Sequence, residues 1–177
     1  MKKYLVNCWF VACVLVAACG KEKSLEGGNL TVNQYYIKCK IGSVDKTFNV
    51  SAAASKADLG GGLINYSVFG KASGTASDYE SIGFTIQIAV PFVTGTYKEN
   101  DPTTDYLVAG IYNPNTTDAT KIYASLGDAN NPFQVTFTTI DSTTLAGTFK
   151  GNLILNNGAP NPDSAVITNG QFKVKIQ

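Results

Sequence analysis

The chain has 177 residues, with 14 basic and 13 acidic side chains and a formal net charge of +1 at pH 7. Every basic residue is lysine, and arginine and histidine are absent. Without an imidazole, Ser-His-Asp and Cys-His catalysis is excluded. Zinc or copper sites built on histidine or cysteine clusters cannot be assembled, and scattered lysines on a near-neutral chain argue against nucleic acid as a partner.

The first predicted element is an export signal, residues 1–18. Lys2 and Lys3 form its positive start, and an apolar run follows from Leu5 to Val16. Residues 4–18 are fifteen in number, short of the about 20 apolar residues that a spanning helix needs. The run ends "VAAC", which resembles the bacterial lipobox, and so marks Cys19 as the lipidated first residue of the mature protein. Two or more acyl chains give stable retention where one gives only marginal binding. Removal of the signal takes away Lys2, Lys3, Cys8, Cys13 and the only tryptophan, Trp9, leaving 12 lysines against 13 acids. Cys39 is then without a disulfide partner, because Cys19 carries lipid.

Residues 19–34 form the lipidated N-terminus and its continuation "GKEKSLEGGNLTVNQ", which is polar, glycine-bearing and aperiodic, and predicts a flexible tether. Fully extended, such a segment reaches about 50 Å. Residues 35–177 then show the period-two alternation of half-buried strands. In "IKCKI", Ile37, Cys39 and Ile41 share one face and Lys38 and Lys40 the other. Cys39 therefore reads as a small buried hydrophobe, not a nucleophile. "SVDK" (43–46) matches a Ser-x-x-Lys string, but it falls in a hairpin turn without companion motifs, so chance accounts for it.

Strands are expected around 46–50 and 63–69, while "SAAASKADL" (51–59) could form a short helix. Asp78 and Glu80 in "SDYES" stand two apart, about 7 Å on a strand, within the range of glycosidase chemistry. With no tryptophan as a sugar platform in the mature chain, solvated charges at a strand edge are the better account. "IGFTIQIA" puts Ile82, Phe84, Ile86 and Ile88 on one face. "TGTYK" (94–98) and "AGTFK" (146–150) repeat the order glycine, threonine, aromatic, lysine, which reads as strand grammar, with the aromatic inward and the threonine outward.

The loop "ENDPTTD" carries Glu99, Asp101 and Asp105, and "GDANNP" carries Asp128, Asn130 and Asn131. Neither has a regular calcium spacing, so turn formation explains both, and neither a metal nor a cofactor is expected. Strands follow around 106–112, 120–126 and 144–155, with Phe133, Val135 and Phe137 on one face of "FQVTF". "NNGAPNPD" and "TNG" read as breaks, and "QFKVKI" closes the chain with Phe172, Val174 and Ile176 inward. Nine or ten short strands with regular turn signals predict an all-β antiparallel sandwich, with a closed or partly open barrel as the alternative.

"IKCKIGSVDKTFNV", "TGTY", "LAGTFKGNL" and "AVITNGQFKVKI", in that order, resemble a group of small Bacteroidota lipoproteins built on one all-β domain of unknown function. The resemblance covers about residues 35–177 and carries over no catalytic residue. Its opening hairpin departs from the Asn-Gly turn expected there, and "IGSVDK" predicts looser pairing. Membership implies attachment to the outer membrane, which Gly20 after the cysteine fits. "KEK" (21–23) looks like the charged signals that send such lipoproteins to the cell surface, the periplasmic face being the alternative. "DST" and "DSA" resemble Bacteroidota O-glycosylation triplets and make Ser142 and Ser164 candidate acceptors in predicted turns.

The expected protein is thus a membrane-anchored, non-enzymatic β-domain that binds a glycan or protein or serves as an envelope accessory. A carboxylate-based glycan enzyme and a barrel carrying a small apolar ligand are the alternatives.

Overall fold

The computed structural model describes residues 34–72, 79–89, 91–155 and 158–177. The signal, Cys19, the tether to residue 33 and Asp78 lie outside the described residues. The described chain is all-β. Its strands are β1 Tyr36–Ile41, β2 Val44–Phe48, β3 Val50–Gly60, β4 Leu63–Lys71, β5 Ser81–Ala89, β6 Gly95–Lys98, β7 Tyr106–Asn113, β8 Tyr123–Ala124, β9 Gln134–Ile140, β10 Thr144–Leu155 and β11 Ser164–Ile176.

The strands form two facing layers. One has the order β2-β1-β11-β10-β9-β6 and the other the order β3-β4-β5-β7-β8. They are joined at two corners, which close seven strands into a ring. At one corner β11 runs parallel to β3, Lys175 opposite Ala53 and Ile176 opposite Ala54; at the other, β10 meets β8 at Ile154–Ala124 and Leu155–Tyr123. Every other pairing is antiparallel. The all-β expectation is met, with eleven strands among the described residues in place of nine or ten and one parallel pairing, in an arrangement consistent with a sandwich or a barrel-like fold.

Alternating apolar residues from both layers fill the space between them. Phe84 on β5 meets Phe172 at 5.1 Å and Phe149 at 5.7 Å between ring centroids, with Phe137 and Phe133 at 6.4 Å. Tilted and edge-on ring contacts of this kind each add about 0.5–1.5 kcal/mol beyond area burial. Ile37, Cys39, Ile82, Ile86, Phe133, Val135, Phe137, Phe172 and Val174 are all buried, as the period-two reading places them. Ile41 and Ile176, near layer margins, are only partly so.

Four local expectations are corrected. Residues 51–59 are strand, not helix: β3 pairs with β4 from Val50–Lys71 to Gly60–Leu63, and Ala52 and Ala54 enter the core. Tertiary pairing overrides the alanine preference for helix. The opening hairpin is tight, since Ile41 pairs with Val44 across two residues and Gly42 has φ 59°, which suits the first position of a type II′ turn. The 120–126 region holds only a 3-10 turn, Ala119–Lys121, and the two-residue β8. Finally, "TNG" is no break. It is a bulge inside the 13-residue β11, where Cys39 on one side and Lys150 on the other face an extra residue, and Asn169 takes φ 53°.

Two glycines let these strands approach. A Cβ on Gly147 would fall 1.9 Å from the Thr136 carbonyl oxygen, and one on Gly170 would fall 2.2 Å from that of Phe149. Both positions require glycine because backbone lies where the side chain would be.

Candidate binding face and half-buried polar cluster

The repeated four-residue motifs occupy equivalent places. β6 and β10 lie on either side of β9, and both pair with it in the same register: Thr96 and Thr148 oppose Thr136, Tyr97 and Phe149 oppose Val135, and Lys98 and Lys150 oppose Gln134. Both aromatics are buried, so the strand-grammar reading holds. The lysines and threonines of both motifs therefore project from one outer face.

That register continues across the layer. Thr148 pairs with Gln171, Gln171 with Lys38, and Lys38 with Thr47. One outward row thus crosses six strands as Thr47, Lys38, Gln171, Thr148, Thr136 and Thr96. With neighbouring strands about 4.8 Å apart, it spans about 24 Å. The Thr96 and Thr136 hydroxyls are linked at 2.8 Å.

The bulge dents this face. Asn169 and Gln171 line two grooves, one of about 460 Å³ running over Gln134, Thr136, Thr148 and Lys150, the other of about 360 Å³ toward Lys38, Asp45 and Thr47. An inserted residue forces the bulged strand to bend locally, and the grooves sit at that bend.

A second polar group lies at the inner side of β1 and β2. Lys46, opposite Cys39, turns its ammonium to Glu80 Oε1 at 2.7 Å, and the Tyr112 hydroxyl donates to the same oxygen at 3.2 Å. Glu80 is therefore not a solvated edge charge. It directly precedes β5, a central strand, and is about a quarter exposed. Burial, reinforced by the Glu80 carboxylate and opposed by Lys46, pushes the Cys39 thiol up to about 12. Burial and Glu80 likewise raise the Tyr112 phenol. A thiol so held stays protonated and unreactive, as its core position implies.

Asp101, Asp128 and Asp141 behave as turn formers, and Glu99 does not. Asp101 accepts from the Thr103 amide and hydroxyl, Asp141 from Thr143 and Thr144, and Asp128 from the Asn130 and Asn131 amides and the Asn152 side chain. These hydrogen bonds hold the three carboxyls below the usual aspartate range. Glu99 is different: it is 5 % exposed and accepts from the Phe133 amide at 2.6 Å and the Gly127 amide at 3.1 Å. It pins the 127–133 loop to the end of β6. No local sequence signal marks it, because its partners lie 28 and 34 residues away.

Ser142 is exposed in the β9–β10 turn. Ser164 is also exposed, but it opens β11 and lies opposite Ile154, so it stands on a strand instead of in a turn. Ser43 sits in the two-residue hairpin turn while Lys46 is engaged by Glu80, and chance remains the account of that string. Set against protein-family models, curated proteins and solved structures, the chain matches none of them.

Proposed function

We propose that this protein is an exported lipoprotein, anchored through Cys19 to the outer membrane and displayed at the cell surface, whose domain 35–177 is a non-enzymatic binding module. The row from Thr47 to Thr96 across six strands is the observation that carries this reading. It offers hydroxyl, amide and ammonium groups at a regular repeat on an open surface, which suits an extended hydrogen-bonding polymer such as a glycan or an extended protein segment.

The alternatives gain less support. A carrier of an apolar ligand needs an internal void, and among the described residues the Phe84 cluster packs ring against ring where β5 faces β10 and β11. A carboxylate enzyme needs acids free to act, and Glu80 and Glu99 are both committed to partners. The test is a glycan array probed with the full chain in non-ionic detergent, wild type beside Thr148→Ala/Gln171→Ala. Binding lost in the variant supports the face; binding retained in full places the ligand elsewhere.

A further inference from the structure

Sequence scatter hides a charge asymmetry. Lys38 and Lys40 on β1, Lys98 on β6, Lys150 on β10, and Lys173 and Lys175 on β11 all alternate with inward residues and point out from one layer. The strands of that layer hold a single carboxylate, Asp45. Among the described residues the contact ion pairs are Lys46–Glu80 and Lys121–Asp118, neither of which involves any of the six, although Lys40 stands opposite Asp45 and Lys98 acts on Asp101. The opposite layer is uncharged at its central outward positions, where Asn65, Ser67 and Phe69 neighbour Gly83, Thr85 and Gln87.

We propose that the six-stranded face binds a linear acidic polysaccharide; this rests on reading that face as the binding surface and names its ligand class. Lys150 and Lys98 flank Gln134, two strand spacings or about 10 Å apart. Lys38 stands in the row on β1, and Lys173, opposite Tyr36 on the neighbouring β11, lies on the side of the row away from the bulge. Hydroxyl and amide groups fill the positions between these charges. A polymer that alternates anionic groups with hydroxyls meets both kinds of partner at once, lysine for the charge and Thr136, Thr148 or Gln171 for the hydroxyls. The two grooves beside Asn169 receive units that rise from the plane.

Other polyanions fit less well. Single-stranded nucleic acid needs aromatic platforms for its bases, and the row itself holds no aromatic residue, while Tyr36 beside it already lies under the Lys38 ammonium at 4.8 Å. An anionic membrane would be met by a face with apolar side chains to insert, whereas the residues between the lysines are Thr, Gln and Asn.

The experiment uses the full chain in non-ionic detergent, with binding read by interferometry on immobilised polygalacturonate, dextran, single-stranded DNA and vesicles containing phosphatidylglycerol. Polygalacturonate should be bound best, about tenfold more weakly by Lys38→Ser/Lys173→Ser, and unchanged by Lys56→Ser/Lys71→Ser. Added salt should weaken it steeply. Equal binding of dextran that still depends on Thr148 and Gln171 overturns the acidic ligand and leaves the face reading intact. Polygalacturonate binding indifferent to all the face variants overturns both. Tighter binding to DNA or to vesicles overturns the proposal in favour of that polyanion. Circular dichroism of each variant confirms that the fold is kept.

Discussion

Lys98 and Lys150 stand at the same register on opposite sides of Gln134, each the last residue of a four-residue Gly-Thr-aromatic-Lys motif. The buried Tyr97 and Phe149 fix both strands, and the lysines are consequences of that fixation. A packing motif used twice around β9 has become a pair of outward charges. Its glycine is required at both copies for different reasons: Gly147→Ala drives a methyl into the Thr136 backbone and should cost about 1–3 kcal/mol by overpacking, whereas a Cβ on Gly95 meets no atom but would stand on a backbone with φ 155°, which L residues rarely adopt. Urea unfolding of Gly147→Ala measures the cost; an unchanged midpoint would show that the close approach of β9 and β10 is wrong.

Cys39 tests the phase of β1. It is 4 % exposed, while Lys38 beside it is exposed. The thiol should resist labelling in the native protein and react on unfolding. Cys39→Ser should cost on the order of 1–3 kcal/mol if the hydroxyl is left unpaired, and Lys38→Ser should cost under about 0.5 kcal/mol. Rapid native labelling would mean the strand is out of phase by one residue, which exchanges faces.

Much of this was legible because period two is a local property. "IGFTIQIA" and "QFKVKI" declare their buried faces without reference to any partner. The bulge in β11 also left a trace: Ala165 and Ile167 are inward at odd numbers, Phe172 and Val174 at even ones, a slip of one residue across Thr168–Gly170. "TNG" obscures it because the same residues favour turns. The basic face was not legible. Its six lysines are spread over β1, β6, β10 and β11, and only the strand order gathers them. Glu80 and Glu99 were misread for the same reason, since their partners are remote in the chain.

Glu80 should matter more than an exposed acid. Glu80→Gln weakens its links to Lys46 and Tyr112, and a charged hydrogen bond at a partly buried site contributes about 1–2 kcal/mol. A double-mutant cycle with Tyr112→Phe in urea should show coupling between the two. Additive losses would mean the hydrogen bond is not made.

Glu99→Leu should be the most damaging surface-adjacent change, on the order of 2–4 kcal/mol, because the Phe133 and Gly127 amides lose their acceptor. Glu99→Gln keeps one carbonyl oxygen and should cost less. Thermal unfolding ranks the two; reversal of the order would remove Glu99 from its anchoring role.

Stability should fall in alkali. Burial raises the Cys39 thiol from 9.0 to about 12 and raises the Tyr112 phenol as well. Both groups ionise more easily unfolded than folded, so their contribution is whole below their unfolded values and is lost as pH climbs above about 9. Cys39→Val with Tyr112→Phe should flatten the urea midpoint between pH 9 and about 11. An unchanged slope would assign the loss to other groups.

Lysine acetylation with a membrane-permeant reagent, compared by mass spectrometry between intact source cells and purified protein in detergent, tests the binding face most directly. Lys38, Lys150 and Lys173 should be modified several-fold less in cells, where ligand covers them, while Lys56, Lys71 and Lys121 should react alike in both. Equal reactivity of all six in both states, or protection confined to Lys56 and Lys71, would contradict the account.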